Sequence, residues 1–332
     1  MDDCVLLAHG SGGKLSHDLL RDEIVSVFGN PLLERMDDSA VLDIQGRIAF
    51  TTDSYVVTPM FFPGGNIGKI AVCGTINDLA VCGARPLFIS VSLVIEEGLS
   101  IADLRKVLQS MREMVDMTGV RVVTGDTKVV NRGCADKLFI NTSGLGVIPS
   151  GLNMTGVEVG DKVIVSGTLG DHSIAVMSKR EGLEFDSPIE SDCAPLNGLV
   201  ESMFQSSSKI HCMRDPTRGG LASTLNEIAQ QAMVGVRIKE DQIPIQEGVR
   251  AACELLGFDP LHMANEGKLV AFVAAAEAER VLLKMREHEY GSNAAIIGDV
   301  VEDHKGQVVM RTSLGSSRIV DMPVGDILPR IC

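Results

Sequence analysis

Carboxylates recur at the ends of apolar segments through the first half of this chain. They are Asp37-Asp38 before Ala40-Val41, Asp53 after Thr51-Thr52, Asp78 in Asn77-Asp78-Leu79-Ala80, and Asp126 in Gly125-Asp126-Thr127. Groups at element ends can converge on one mouth of a sheet. Magnesium takes oxygen ligands and commonly arrives with substrate phosphates, so such a set could hold Mg²⁺ against a triphosphate. Taken singly, each Asp is better explained as a helix cap or turn former. It is their joint placement beside glycines and small residues that favours the metal reading.

Other residue types suit anion handling and proton transfer. Gly10-Ser11-Gly12-Gly13-Lys14 has the look of a phosphate loop, but it is not a Walker A motif: Ala8 stands where glycine is required and Leu15 follows Lys14. Residues 64–69 fail in the same way, with Pro63 at the needed glycine. No dinucleotide fingerprint occurs in a strand–turn–helix context. Residues 9–14 read as a lid that brings Lys14 to phosphate, or as a mobile N-terminal arm. Thr217-Arg218-Gly219-Gly220 precedes a predicted helix, whose unpaired N–H groups and dipole favour an anion. Two glycines there serve a tight loop-to-helix junction equally well. Lys128 can position phosphate, or act as a base if its pKa is lowered, and Glu266 in Asn265-Glu266-Gly267 can be a general base. Alone, each is an ordinary exposed or paired charge.

The last residue is Cys332. Residues 325–332, if extended, reach up to about 25 Å at ~3.3 Å per residue, and Pro329 biases Leu328 toward extended backbone. A short, semi-rigid tail ending in a thiol can enter a pocket like a tethered substrate. On tail composition alone, an incidental terminal Cys is the better reading.

The elements that must carry these groups alternate. Residues 47–57 read as a strand, 67–81 as a helix, 86–95 as a strand and 101–118 as an amphipathic helix capped by Ser100 with Asp103 three residues on. Strands follow over 120–124 and 138–148. Pro149-Ser150-Gly151 marks a boundary. Beyond it come a strand over 162–165, helices over 173–180 and 221–231, a strand over 269–274 and a helix over 277–289. The fold class expected is α+β in two domains, 1–150 and 151–322, with 323–332 as a mobile tail.

At 332 residues, two domains of ordinary size are natural. A net charge of −14 speaks against nucleic acid and anionic membranes as broad partners, and the lack of Trp speaks against base-stacking platforms. Eight scattered cysteines, none in a C-x-x-C pair, suit reduced thiols of a cytoplasmic protein. No signal-peptide layout and no membrane-length apolar run are evident.

Taken in order, these motifs resemble the superfamily of aminoimidazole ribonucleotide synthetase, formylglycinamidine synthetase, selenophosphate synthetase and thiamine monophosphate kinase. The residues that carry the likeness are His9-Gly10-Ser11-Gly12-Gly13, Asp37-Asp38-x-Ala40-Val41, Thr51-Thr52-Asp53, Asn77-Asp78-Leu79-Ala80, Gly125-Asp126-Thr127 and Asp215-Pro216-Thr217-Arg218-Gly219-Gly220-Leu221. The closing Pro329-Arg330-Ile331-Cys332 and the surroundings of Lys128 and Glu266 make the chain similar to the hydrogenase maturation factors of the HypE family. Selenophosphate synthetases place Cys or selenocysteine in the N-terminal glycine loop, and none is present here.

The resemblance implies a homodimer whose first-domain sheets pair into a barrel-like core, with ATP bound nearby. It implies Mg²⁺ at Asp38, Asp53, Asp78 and Asp215. Nucleotide contacts would come from Lys14, Asn77, Asp126, Thr127, Thr217, Arg218, Gly219 and Gly220. The implied reaction is ATP-dependent dehydration of a carbamoyl group that the carbamoyltransferase HypF loads onto Cys332, with Lys128 and Glu266 handling protons. The cyanide formed would pass to iron on a HypC–HypD scaffold for [NiFe]-hydrogenase. Two alternatives remain: a small-molecule kinase or synthetase of the same superfamily, indifferent to the tail, and a non-catalytic assembly protein.

Overall fold

The computed structural model describes residues 4–10, 13–36, 39–183, 185, 189–325, 328 and 330–332. The first domain opens with helical turns, α1 (Gly13–Leu19) and α2 (Ser26–Phe28). There follow β1 (Arg47–Tyr55), a two-strand ribbon of β2 (Phe61–Phe62) and β3 (Gly65–Asn66), α3 (Ile67–Val81), β4 (Arg85–Glu96), α4 (Ile101–Thr118), β5 (Arg121–Val130) and β6 (Leu138–Ile148). The sheet runs β1-β6-β4-β5, with β4 and β5 parallel and the other pairs antiparallel.

The helices predicted over 67–81 and 101–118 form with those bounds. Ser100 Oγ accepts the Asp103 N–H at 3.0 Å, and Gly119 ends α4 in the left-handed region. Helix α4 buries a single stripe, Leu104, Val107, Leu108, Met111, Met114 and Val115, as an amphipathic surface helix does. Helix α3 is apolar all round because it is covered on every side. It packs on the sheet, on α4 and on the second domain. Gly68 permits the close approach of α4: a Cβ there would lie 2.5 Å from the Val107 carbonyl oxygen. The strand expected at 120–124 runs on to Val130, so Asp126, Thr127 and Lys128 lie inside a strand.

Among the described residues, only one face of this sheet is covered. Along β6, Leu138, Ile140 and Thr142 point inward while Phe139, Asn141 and Ser143 are half-buried on the other side. On β1 the same open face carries Ile48 at 49% and Phe50 at 67% exposure. The sheet is open, not a closed barrel.

The second domain contains β7 (Lys162–Val165), α5 (Asp171–Glu181), α6 (Asn197–Ser206), β8 (Ile210–Arg214), α7 (Gly220–Ala232), β9 (Gly235–Lys239), α8 (Glu247–Leu256), β10 (Val270–Val273), α9 (Ala278–Arg286), β11 (Ala295–Val301), β12 (Val308–Arg311) and β13 (Ser317–Val320). Its sheet runs β13-β12-β9-β11-β7-β10-β8, antiparallel except for β12 against β9. Strands β7 and β10 are covered on both faces, which is why they read as continuous apolar runs. Val163, Val165 and Phe272 face Leu221, Leu225 and Ile228 of α7, while Ile164 and Ala271 face α6 and α9.

Asn77 joins the two domains. It is buried on α3, donates to the Ala194 and Glu266 carbonyls at 3.1 Å each, and accepts the Leu196 N–H at 2.8 Å. The residue expected to contact nucleotide therefore has both donors committed to the domain seam. Asn77→Ala removes three hydrogen bonds and leaves buried backbone groups unpaired, at a cost of about 2–4 kcal/mol. Urea unfolding is expected to show a lower midpoint for this variant.

Candidate active site

A cavity of about 550 Å³ opens where the two domains and the C-terminal tail meet. Its walls come from the end of β1 (Asp53, Tyr55), the loop entering α7 (Thr217, Arg218, Gly219), the segment holding Glu266, and the tail residues Ile331 and Cys332. Six residues singled out from sequence, Asp53, Thr217, Arg218, Gly219, Glu266 and Cys332, thus line one space.

The tail is docked. It lies antiparallel to residues 56–58, just past β1: the Val56 N–H donates to the Cys332 carbonyl and the Thr58 N–H to the Arg330 carbonyl, both at 3.2 Å. Arg180 Nη2 donates to the same Arg330 carbonyl at 2.7 Å. The Arg330 guanidinium donates to the Val56 carbonyl, pairs with Asp136, and lies over the Phe139 ring. Ile331 is 5% exposed and packs into the first-domain core, with Cys332 half-buried beside it. Arg330 takes a left-handed backbone, φ 58°, which costs about 1–2 kcal/mol. That strain opposes the docking contacts and makes release easier.

Glu266 presents a buried carboxyl whose Oε1 has no hydrogen-bond partner among the described residues. Burial, then the neighbouring Cys193, Asp192, Asp215 and Asp53, push its pKa well above the usual carboxylate range. Its backbone is fixed from two sides, by Asn77 on its carbonyl and by Asp192 Oδ1 on its N–H. Asn265 pins the adjoining loops by accepting the Gly170 N–H and donating to the Pro216 and Met263 carbonyls.

Asp53 accepts from the Tyr55 hydroxyl at 3.2 Å and meets the exposed Arg218 guanidinium at 3.4 Å. Asp78 accepts from Thr51 Oγ1 at 2.6 Å, and burial followed by Asp53 raises its pKa. Asp215 keeps some accessible surface, yet its carboxyl is packed round closely. Burial, then Asp78 and Asp53, lift it to about 7. The trio supplies the oxygen donors magnesium prefers and carries repulsion that a cation would offset. Among the described residues no group of three His, Cys, Asp or Glu side chains converges closely enough to hold an ion, and Asp38 lies outside the described residues.

The lifted Asp215 pKa makes a stability prediction. An acid whose folded pKa exceeds its unfolded value stabilises most at low pH and loses that contribution as pH rises to the folded value. Asp215→Asn is therefore expected to raise the free energy of unfolding by an amount that grows from about pH 4 and levels off above about 7, reaching about 2–4 kcal/mol. Thermal unfolding against pH in metal-free buffer checks this.

The loop entering α7 has the form expected of an anion site, with the helix starting at Gly220. A Cβ on Gly220, at φ 60°, would strike the Met263 and Leu261 carbonyls at 2.5 and 2.6 Å, so only glycine fits. The N-terminal turn of α7 opens beside Thr217 and Arg218.

Four expected residues lie elsewhere in the single chain. Lys128 and Asp126 form an exposed ion pair of 3.0 Å on the open face of β5. Asp126 and Thr127 line a separate pocket of about 150 Å³ with Met36 and Leu93. Lys14 sits in the first turn of α1, lining another cavity with His9, Asp18 and Arg21. Strand β5 is three strand spacings from β1, about 14 Å at ~4.8 Å per spacing. The sequence reading missed Tyr55, Asn265, His172 and Arg180. His172 alone left a trace, a polar ring just ahead of the apolar run Ile174-Ala175-Val176-Met177.

Comparison with known proteins identifies both halves of the fold. The model for the AIR synthase related protein N-terminal domain matches residues 36–148, and that for the C-terminal domain matches residues 158–311. Carbamoyl dehydratase HypE of Bradyrhizobium diazoefficiens is 54% identical over 333 residues, covering 99% of this chain and 96% of that one. A crystal structure of hydrogenase maturation protein HypE in complex with ATP superposes with a TM-score of 0.95 at 46% identity, covering 98% of this chain and 99% of the other. A HypE–HypF complex gives 0.81 at 48% identity, over 92% and 99%. With both halves of the fold matched and relatives aligned end to end, the chain belongs to the carbamoyl dehydratase HypE family of the AIR synthase related proteins.

Proposed function

We propose that this chain dehydrates a carbamoyl group carried on the Cys332 sulfur, using ATP, and so makes the S-cyanide that becomes the cyanide ligand of [NiFe]-hydrogenase iron. The observation that carries this reading is the docking of Cys332 into the cavity shared by Glu266, Asp53 and the N-terminal turn of α7. Nothing about a soluble-metabolite kinase requires a thiol in that place.

The chemistry balances as follows. The carbamoyl oxygen attacks the γ-phosphorus of ATP and ADP leaves. The C–O bond then breaks, phosphate departs, and S–C≡N remains after two N–H protons are lost. Carbamoyl oxygen is otherwise a poor leaving group, so phosphorylation is what makes the bond breakable. Glu266, once ionised, takes one of the protons. The N-terminal turn of α7 and Arg218 are set to receive phosphate charge. When bound with ATP, Mg²⁺ would be held by Asp53, Asp78 and Asp215 with Asp38, and would neutralise charge on the transferring phosphoryl group.

Lys128 completes the proton handling from a second copy of the chain. The open face of the first-domain sheet carries Ile48 and Phe50, exposed, and a polar row in register, Ser54-Asn141-Ser92-Asp126, with Lys128 beside it. Stacking two such faces into a barrel-like core buries the apolar end of each and brings β5 of one protomer toward the cavity of the other. HypF is the partner that loads the thiol, and a HypC–HypD iron scaffold is the acceptor.

The test supplies carbamoyl phosphate, HypF and ATP, and follows the intact mass. A gain of one carbamoyl group followed by loss of one water is expected for the wild type. Equal modification of Cys332→Ala would remove the thiol from the reaction.

A further inference from the structure

The docked tail exposes its carbonyl groups alternately to two sides. Those of Arg330 and Cys332 face residues 56–58 and are satisfied by backbone N–H groups, as in an added antiparallel strand. The Ile331 carbonyl points the other way, where no strand among the described residues lies alongside. His172 fills that place: its Nε2 is 2.8 Å from the Ile331 oxygen. The ring is fully buried, the second residue of α5, with its plane held edge-on to Phe62 at 5.4 Å and 89°.

The polarity of this contact is fixed from behind. The Cys193 N–H donates to Ser191 Oγ at 3.1 Å, so the Ser191 hydroxyl is oriented to donate onward to His172 Nδ1 at 2.8 Å. A carbonyl only accepts, so the proton sits on Nε2 and Nδ1 accepts. Burial lowers the pKa of the ring and keeps it in this neutral form. Cys193 N–H, Ser191, His172 and the Ile331 carbonyl thus make one directional chain that ends one residue short of the thiol.

We propose that His172, with its tautomer set by Ser191, is a positioning residue that latches the tail in its inward place, so that Cys332 faces Glu266. This deepens the function proposed above and rests on it for the catalytic consequence, but the latch itself concerns tail position alone. Because His172 grips backbone, it holds the tail whether Cys332 carries a hydrogen, a carboxamide or a cyanide. Release requires breaking one neutral hydrogen bond here, and the strain stored at Arg330 assists it.

The test uses the full chain in three forms: wild type, His172→Phe, and His172→Gln, whose amide can still donate at the position of Nε2. The first readout is the rate of iodoacetamide labelling at Cys332, followed on the C-terminal peptide. Loss of one neutral hydrogen bond is expected to speed labelling about three- to tenfold in His172→Phe, with His172→Gln close to wild type. The second readout is single-turnover dehydration after HypF loading: His172→Phe is expected to load normally and to convert more slowly by a similar factor. Equal labelling of all three forms overturns the latch. Should wild type label as expected yet make no S-cyanide, the latch stands and the dehydratase reading falls. If His172→Phe does not fold, Ser191→Ala frees the tautomer and should speed labelling about two- to fivefold, and unchanged labelling there likewise overturns the proposal.

Discussion

Glu266→Gln is expected to accept a carbamoyl group on Cys332 from HypF as readily as the wild type, and then to hold it unconverted. A positioned base typically contributes between about 10²- and 10⁴-fold, and Gln keeps the size of the side chain while losing the capacity to accept a proton. Burial, then the Cys193 thiol and three aspartates, raise the pKa of Glu266 well above that of an ordinary carboxylate. The base works only when ionised, so the dehydration rate of loaded wild-type protein should fall as pH drops through that raised value. Its acid limb should therefore lie well above the ordinary carboxylate range. HypF loading, which does not use Glu266, should show no such limb in this protein. Stability has the opposite sign: the neutral acid suits its buried place, so stability from this group is lost as pH rises through the raised pKa, and the Gln variant should be flatter in alkali. Single-turnover conversion followed by intact mass across pH checks the first, and urea unfolding of both forms across pH checks the second. Conversion by Glu266→Gln at the wild-type rate would remove Glu266 from the chemistry.

The parts of this molecule legible in the sequence are those where local chemistry and final environment agree. Helix α4 has a cap, one apolar stripe and a terminal glycine, and each signal is local. Strand β7 reads as a buried strand because both its faces are covered. Helix α3 was legible by spacing, but its all-round burial came from a second domain that no local pattern announces. The same distinction divides the site. Asp53, Thr217, Arg218, Glu266 and Cys332 were nameable as reactive types at element ends, and the fold gathers them. Asn77 was nameable too, but its amide is committed to three backbone groups of the other domain, a fact of tertiary contact alone. His172 and Arg180 act on the tail through backbone carbonyls, so nothing in the tail sequence points to them. Lys128 was recognised as chemistry-bearing, while its place on the far edge strand could be learned only from strand order.

That strand order leads to an expected rescue between two inactive proteins. Lys128→Ala and Glu266→Gln should each abolish dehydration alone, and mixing them under conditions that exchange subunits should restore it. Within one chain, Lys128 is separated from β1 by β4 and β6, about 14 Å at ~4.8 Å per strand, and its ammonium is held by Asp126 on the open face. A lysine side chain cannot span three strand spacings to meet Cys332. If two open faces stack about a two-fold axis, each cavity combines Glu266 and Cys332 of one protomer with Lys128 of the other. A mixed dimer then has one site carrying both substitutions and one carrying neither. Random exchange makes half of all dimers mixed, with one working site in each, so about a quarter of wild-type activity should return. The measurement is S-cyanide formation before and after subunit exchange, with Phe50→Glu in both partners as the control that breaks the stacked face. Mixtures that stay inactive, with exchange demonstrated by native mass spectrometry, would show that Lys128 does not serve the neighbouring cavity. In that case the proton-handling role passes to groups already lining it.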